Sequence, residues 1–585
     1  MNQNGYWDLS FLYKGFDDPA LQADLAAIPG MLEEMRAILA SDEADLPKLE
    51  KLVDAQEALH ARMNKMSYVF LVLAVDATNA TAAQYDDRLN LLYNDVGMVH
   101  SAITRYIGSL SNLEELIASS EKLQTVAFAL REEFNSAKHT LPEAIEPWVR
   151  QMSLSGGSAF SQLRDKLDST HTVSYRGQEL PLAAVRGMAY NADPAVRKDA
   201  YEAEIAAYKK MELPMSYCLN SIKMEARTFA KARGYDSVLD MTLDSSRMDR
   251  ETLDAMLTAM KEYLPHFRRY LRAKGKLLGH DNGLPFYDLF APVGSATRSY
   301  TIEEARQTLI DEMGKFNPEM AKFIDNAFEQ DWMDLYPREG KTGGAFCAGA
   351  HFADRSMVMT NFQGSHSDVS TIAHELGHAW HNRCMAGLPY ALTDAPMPLA
   401  ETASIFNETM LAHQVLAAAT EAEQLTLLDA TLTESTQTLV DILSRYLFET
   451  DVIETRADHA MTVDELKAAM LRAQDATYGD GLDPEVRHPY MWACKSHYYS
   501  SGLNFYNFPY AFGELFGKGV FARYLEKGNE FVPQYNQLLR SCGSGTVADV
   551  AASVGIDVRS VDFWRSSLEV IKQEIDRFCA LCEKQ

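Results

Sequence analysis

The 585-residue chain has little cysteine. Its seven cysteines are odd in number and mostly scattered, which argues against a disulfide framework and suits reduced thiols in a cytosol. The one close pair, Cys579 and Cys582, sits in an amphipathic helical pattern without a βαβ context, so we read both as buried thiols. Long apolar runs are missing too. The longest, Tyr68 to Val75, is far too short to cross a bilayer. Met1 to Asp17 has no basic stretch followed by an apolar one, so no signal peptide is expected. Excess positive charge is absent: 55 Lys and Arg against 82 Asp and Glu leave −27. Such a chain repels polyphosphate, which argues against nucleic acid and anionic membranes as partners. No tandem repeat or low-complexity tract is evident.

What is present points to a large, mainly helical protein. Apolar residues make up 47% of the chain, enough to build a core, and the length calls for two or three lobes. Leu21–Leu39, Leu46–Val75, Ala82–Leu110 and Leu113–Phe134 carry apolar residues at three- and four-residue steps, the mark of amphipathic helices. A hairpin or turn is expected at His171 to Gly177. Asp193-Pro194 reads as an N-cap followed by proline at the first helical position. We place a soft boundary there, with an N-terminal helical lobe over 1–190 and a second domain over 191–585. Capping boxes are expected at Thr301–Glu304 and Thr462–Glu465. A glycine cluster from Gly340 to Gly349, then the β-like Arg355–Asn361, predicts a small sheet inside the helical protein. Gly543-Ser-Gly545-Thr546 lacks a preceding strand, so Thr546 is read as an N-cap and not as part of a phosphate loop.

Directly after that sheet comes Ser367-Asp-Val-Ser-Thr-Ile-Ala-His374-Glu375-Leu-Gly-His378. Ser367 or Asp368 can cap this helix, and Gly387 and Pro389 can end it. His374 and His378 are one turn apart on one face, so both imidazoles can converge on a single ion. Glu375 is rotated about 100° from His374, near such an ion without ligating it, where it can accept a proton from water. With 15 histidines in the chain, roughly 0.03 matches to H-E-x-x-H are expected by chance. His381 lies about 10.5 Å along the axis from His374 and cannot share the ion with it. It packs or supports instead.

A third ligand belongs on another element, with a fourth position left open for water. The helix expected over Pro398–Ala418 carries Glu401 and Glu408, two turns apart among Ala400, Ile405, Phe406 and Met410. Acidic groups on a buried face need partners. We assign Glu401 as the ligand and Glu408 as support for a ligating histidine, although the spacing by itself does not choose between them. Near the C-terminus, His497, Tyr499, Tyr506 and Tyr510 lie in an aromatic stretch with Gly502 and Gly513. Tyr506 and Tyr510 are four apart, so their hydroxyls can project together, and a phenol or imidazole N–H can stabilise an oxyanion.

The pattern His374-Glu-Leu-Gly-His378, followed 23 residues later by Glu401-Thr-Ala-Ser404, resembles the M3 peptidases, specifically their oligoendopeptidase F branch. Tyr6-Trp-Asp-Leu-Ser-Phe-Leu-Tyr13 and Gly555-Ile-Asp557 through Phe563-Trp564 look like the opening and close of that branch. The resemblance implies that His374, His378 and Glu401 hold one Zn2+ and that Glu375 is the catalytic acid/base. It implies a zincin-like fold of two helical lobes flanking a deep substrate channel, with a small sheet beside the metal helix. It also makes His497, Tyr506 and Tyr510 candidates in a His…Tyr…Tyr substrate region, with His497 or Tyr510 the oxyanion donor.

We therefore expect a cytoplasmic zinc endopeptidase that cuts short, unstructured oligopeptides, its oligomeric state open. Tyr506, Tyr499 and Gly344 are the expected substrate-binding residues. Arg355–Asn361 is weighed equally as an exposed edge to which a peptide adds a strand and as an ordinary structural strand. The alternatives are an exopeptidase of the dipeptidyl carboxypeptidase type on the same scaffold, and a catalytically silent helical binding protein that retains zinc.

Overall fold

A computed structural model of the chain describes residues 5–294 and 298–584. Helix makes up 71% of the fold, so sheet is confined to two small pieces. The first expected helix runs Pro19–Ala40, opened by an Asp18 N-cap with proline in the first turn, and buries Leu21, Leu25, Ile28, Leu32 and Met35. The second is two helices, Asp45–Lys65 and Ser67–Val75, separated at Met66. The fourth is also interrupted, because the Ser120 hydroxyl accepts from the Leu123 N–H and starts a new helix within the apolar pattern. Both capping boxes form as expected, and Asp193 caps the Pro194–Ala232 helix.

The chain folds into two compact units assembled from separated segments. The first comprises Met1–Thr140, Arg298–Gln414 and Arg523–Gly555; the second comprises Leu141–Thr297, Val415–Ala522 and Ile556–Gln585. Residue 190, the expected boundary, falls inside the second unit. Hydrophobic periodicity marks helices but does not report which distant helices share a core. In the first unit Leu21, Ile28, Leu49, Leu52 and Ile107 belong to one core that Met357 of the sheet also enters. In the second, Arg250–Leu277 packs along Val561–Cys582. No helix among the described residues is long and apolar enough to cross a membrane.

Strands β1 (Thr172–Tyr175) and β2 (Gln178–Pro181) pair as an antiparallel hairpin. Arg176 and Gly177 join them, both at positive φ (48° and 81°), the turn geometry that matches strand twist. The sheet of the first unit contains β3 (Met333–Asp334), β4 (Phe346–Ala350) and β5 (Arg355–Met359), in the order β3-β5-β4. This corrects the reading of Arg355–Asn361 as an exposed edge. β5 is the central strand, parallel to β3 and antiparallel to β4, with Met357, Val358 and Met359 buried. A strand buried on both faces reads as a plain apolar run, so its sequence does not reveal whether its backbone edges are taken. Among the described residues β3 and β4 are the edges.

The loop from β3 to β4 is fastened by a buried carboxylate. Asp334 is paired through both oxygens with Arg338 (2.6 and 2.8 Å) and with the fully buried Lys341 ammonium at 2.7 Å. The same ammonium donates to the carbonyls of Tyr336 and Thr360. Asp334→Ala leaves two cations without their counter-ion, a change that costs about 3–5 kcal/mol when the site is buried. We expect a clear fall in the denaturation midpoint of the variant, with Asp334→Asn in between, measured by calorimetry.

Candidate active site

The His366–Cys384 helix starts earlier than expected, its cap two residues before Ser367 and three before Asp368. Its N-cap is Ser365, which forms a capping box with Asp368. The helix packs on β4 and β5 and also on the Val532–Ser541 helix. His381 is buried against the latter, its Nε2 3.1 Å from the Leu539 carbonyl, and burial lowers its pKa to about 4. Trp380 donates to Asn536 on the same helix at 3.2 Å. His381 thus anchors the helix, as its axial distance from His374 required.

The helix expected over Pro398–Ala418 is interrupted at Glu401, which separates Met397–Ala400 from Thr402–Ala418. Gly377 lets the two elements meet at backbone distance. A Cβ there would lie 2.6 Å from the Ala403 carbonyl oxygen and 2.7 Å from Ser404 Cα. The Asn407 amide donates to the Ala373 carbonyl at 3.1 Å and ties the same pair together.

This approach brings three metal-ligating atoms together. His374 Nε2 and His378 Nε2 are 3.2 Å apart, and each is 3.3 Å from Glu401 Oε2. A tetrahedral ion with bonds of about 2.0–2.1 Å needs ligand atoms separated by about 3.3–3.4 Å, so this nearly equilateral triangle fits one. Glu408 Oε1 is 3.1 Å from His374 Nδ1, on the opposite side of the ring. Such a partner fixes the tautomer that leaves Nε2 free to ligate. Ser404 donates to Glu401 Oε2 at 2.7 Å and orients it. Sequence reasoning gave no role to Gly377, Ser404 or Asn407. A glycine inside a helix is the one signal for them, and only the neighbouring helix explains it.

The electrostatics follow the crowding of acids around the histidines. Burial pushes His374 down, but its contacts with Glu401 and Glu408 outweigh it and lift the pKa to about 10. Burial also opposes ionisation of Glu401, and the two histidines prevail, holding it far below the usual carboxylate range. Glu375 is 5% exposed. Burial raises its pKa, with Glu401 and Glu408 adding to the effect against the two histidines. It is a carboxyl suited to holding a proton.

In the second unit His497, Tyr506 and Tyr510 form one aromatic cluster. The His497 ring is 5.3 Å from Tyr506 and 6.3 Å from Tyr510, and the two tyrosine rings are 5.4 Å apart. Burial lowers the His497 pKa, and its Nδ1 is buried without a hydrogen-bond partner. Below the cluster, buried Glu449 accepts from Lys223 at 2.7 Å, from the Phe505 N–H at 3.0 Å and from the Asn507 amide at 3.0 Å. These bonds hold Phe505 at φ 51°, an unfavourable conformation for a bulky residue and one that over-determined structure maintains. Tyr499, also expected on the substrate side, does not join the cluster. It is 2% exposed, with the Arg164 guanidinium 5.3 Å from its ring centre. Gly344, in the first unit, takes φ 82°, and its carbonyl accepts from Asn361 at 2.9 Å.

Comparison with known proteins agrees with this geometry. The sequence profile described as Peptidase family M3 matches residues 187–570, and the one described as Oligopeptidase F matches residues 110–172. The chain belongs to peptidase family M3. It is therefore an enzyme, a peptidase of the metalloendopeptidase type. An oligoendopeptidase F homolog of Lactococcus lactis is 24% identical over 600 residues, covering 99% of this chain and 97% of the relative. Oligopeptidase PepF of Bacillus subtilis is 22% identical, covering 93% and 82%. A solved structure from Chlamydophila abortus superposes with a TM-score of 0.86 at 23% identity, covering 99% of each chain. Oligoendopeptidase-F from Enterococcus faecium gives 0.70 at 17%, covering 96% of this chain and 99% of that one. These structural likenesses establish the M3 fold.

The helix contact at Gly377 is the most easily tested element of the site. Gly377→Ala should force the elements carrying His378 and Glu401 apart. We expect the purified variant to lose metal in elemental analysis and to melt at a lower temperature. Ala379→Gly, a substitution on the same helix, should retain the metal.

Proposed function

We propose that this M3 peptidase binds one zinc ion per chain through His374, His378 and Glu401 and hydrolyses internal bonds of short, unstructured oligopeptides in the cytoplasm. The triangle of donor atoms, with sides of 3.2, 3.3 and 3.3 Å, carries the proposal. Two imidazoles, one carboxylate and an open fourth position make a catalytic zinc set. Bound there, zinc supplies Lewis acidity to the scissile carbonyl and to water. Glu375 takes the proton of the attacking water and passes it to the leaving amine, and its raised pKa favours that relay. Glu408 holds the His374 ring in position. His497 or Tyr510 donates a hydrogen bond to the developing oxyanion, and Tyr506 contacts the peptide. Gly344 leaves its side of the backbone open to the substrate, and the roles fall within 191–585.

Digestion of a mixed peptide library with mass-spectrometric readout tests the reading. Peptides blocked at both termini should be cut internally, and chelation should stop cleavage. Glu375→Gln should keep its metal and lose roughly 10²–10⁴ in kcat. Tyr510→Phe should lose roughly a hundredfold or more; an unchanged kcat would remove Tyr510 from the oxyanion site. Resistance of every blocked peptide would favour the exopeptidase alternative, and zinc-loaded protein that cuts nothing would favour the silent binding protein.

Metal loading should also release a proton. At pH 8 the metal-free His374, with a pKa of about 10, is protonated and must give up that proton to bind. Affinity should therefore fall as the pH is lowered. Calorimetric zinc titration in buffers of different ionisation enthalpy should show about one proton released per site at pH 8. Release of none would contradict the protonation state.

A further inference from the structure

The second unit contains a cavity of about 290 Å³ that the proposed hydrolysis does not use. All of its lining residues belong to that unit. The volume equals about ten waters, and aromatic walls with a few convergent polar groups are the usual make-up of a small-molecule site. Tyr190 and Phe290 form one wall, with ring centres 4.9 Å apart, and Tyr201 and Tyr287 form another at 5.8 Å.

The polar groups of the cavity favour an anion. Arg197 also lines it, but Asp288 at 2.7 Å and two backbone carbonyls occupy that guanidinium. Arg186 meets Glu204 through Nε at 3.0 Å, and its terminal nitrogens make no hydrogen bond within the described residues. Lys495 is 3.3 Å from Asp441, and the same carboxylate oxygen already accepts from Arg445 at 2.7 Å. Arg186, which Asp168 also influences, thus keeps its terminal nitrogens for a ligand, while Lys495 shares the Asp441 carboxylate with Arg445.

A buried, underused donor also lines the space. His488 is 1% exposed, and its Nδ1 accepts from the Tyr490 N–H at 3.3 Å. In the neutral ring the proton is then on Nε2, which has no hydrogen-bond partner and lies 3.5 Å from Glu204. Buried donors of this kind are rare without a reason. Gln437, on the cavity wall, belongs to a π-helical segment, Thr436–Asp441, a local irregularity frequent at functional sites.

We propose that this cavity binds a small organic carboxylate, its anionic group held by Arg186, Lys495 and His488 and its flat apolar part between the tyrosine and phenylalanine rings. The carboxylate is either free or carried by a peptide. The proposal stands independently of the peptidase mechanism, because binding is measured without turnover.

The probe is N-acetylphenylalanine, with N-acetylphenylalaninamide as its neutral counterpart, titrated calorimetrically into full-length, chelator-treated protein. The acid should bind, and the amide should bind at least roughly tenfold more weakly, as expected for loss of a charge-assisted hydrogen bond. Arg186→Gln should weaken the acid by a similar factor. Tyr190→Ala removes an exposed ring without disturbing the core, so it should fold normally and still bind more weakly. No binding of the acid below about 10 mM, equal binding of acid and amide, or wild-type affinity in a folded Tyr190→Ala would overturn the proposal. Two further arms identify the carrier, using peptides that differ only in a free or amidated C-terminus. If the peptide carries the carboxylate, amidation lowers kcat/KM and Arg186→Gln removes the difference. If the ligand is free, amidation changes nothing and N-acetylphenylalanine alters the rate without competing with the peptide.

Discussion

The candidate site depends on how closely two helical elements approach at Gly377. Glu401 has a short side chain, and its oxygen must come within 3.3 Å of two imidazole nitrogens on another helix. A Cβ at position 377 would collide with the backbone of Ala403 and Ser404. The approach is held from three sides. Asn407 bonds the backbone of the histidine helix, Ser404 orients the Glu401 carboxylate, and His381 and Trp380 fasten the opposite face to Val532–Ser541. Such support lets donor atoms be arranged in advance of the ion they hold.

Crowding polar groups this way is costly in a buried place, and the electrostatics show how the cost is met. Glu375, Glu401 and Glu408 surround His374 and His378. Without a cation the negative charge retains a proton on His374, and burial keeps Glu375 inclined to hold one too. A divalent ion held by His374, His378 and Glu401 would take the place of the first proton and would leave Glu375 as an acid/base. The same physics recurs elsewhere in the fold. Asp334 with Lys341 secures the loop before β4, and Glu449 with Lys223 secures the turn that carries Tyr506. Each buried pair fixes a loop because leaving either charge alone would cost several kcal/mol, on the order of the protein's net stability.

The relation to family M3 sits on low identity. Relatives at 22% and 24% span nearly the whole chain, and a structure at 23% identity superposes with a TM-score of 0.86. Helical packing tolerates wide replacement of apolar residues when volume and pattern are kept. The donor triangle has no such latitude, because an error of about 1 Å in one ligand atom destroys the fit.

Local features were legible in the sequence for a physical reason. Helix period, N-caps, the Arg176-Gly177 turn and the one-turn spacing of His374 and His378 depend on neighbouring residues, and neighbours in sequence are neighbours in space. Glu401 and Glu408 were legible as acids in an otherwise apolar stretch, but their division of labour was not, because it rests on which side of the His374 ring each one meets. The break at Glu401 and the need for glycine at 377 come from contact between two elements. β5 reads as an apolar strand whether central or at an edge, and only its partners on both sides decide which. Tyr499 and Tyr506 look alike in sequence, yet Arg164 covers the first and Glu449 positions the loop of the second. Residue 190 looks like a boundary because turns cluster there, whereas each unit is gathered from three separate segments of the chain. The sequence by itself determined the elements and the chemical groups available; only the tertiary structure decided which groups meet, because long-range packing and burial leave no local periodic trace.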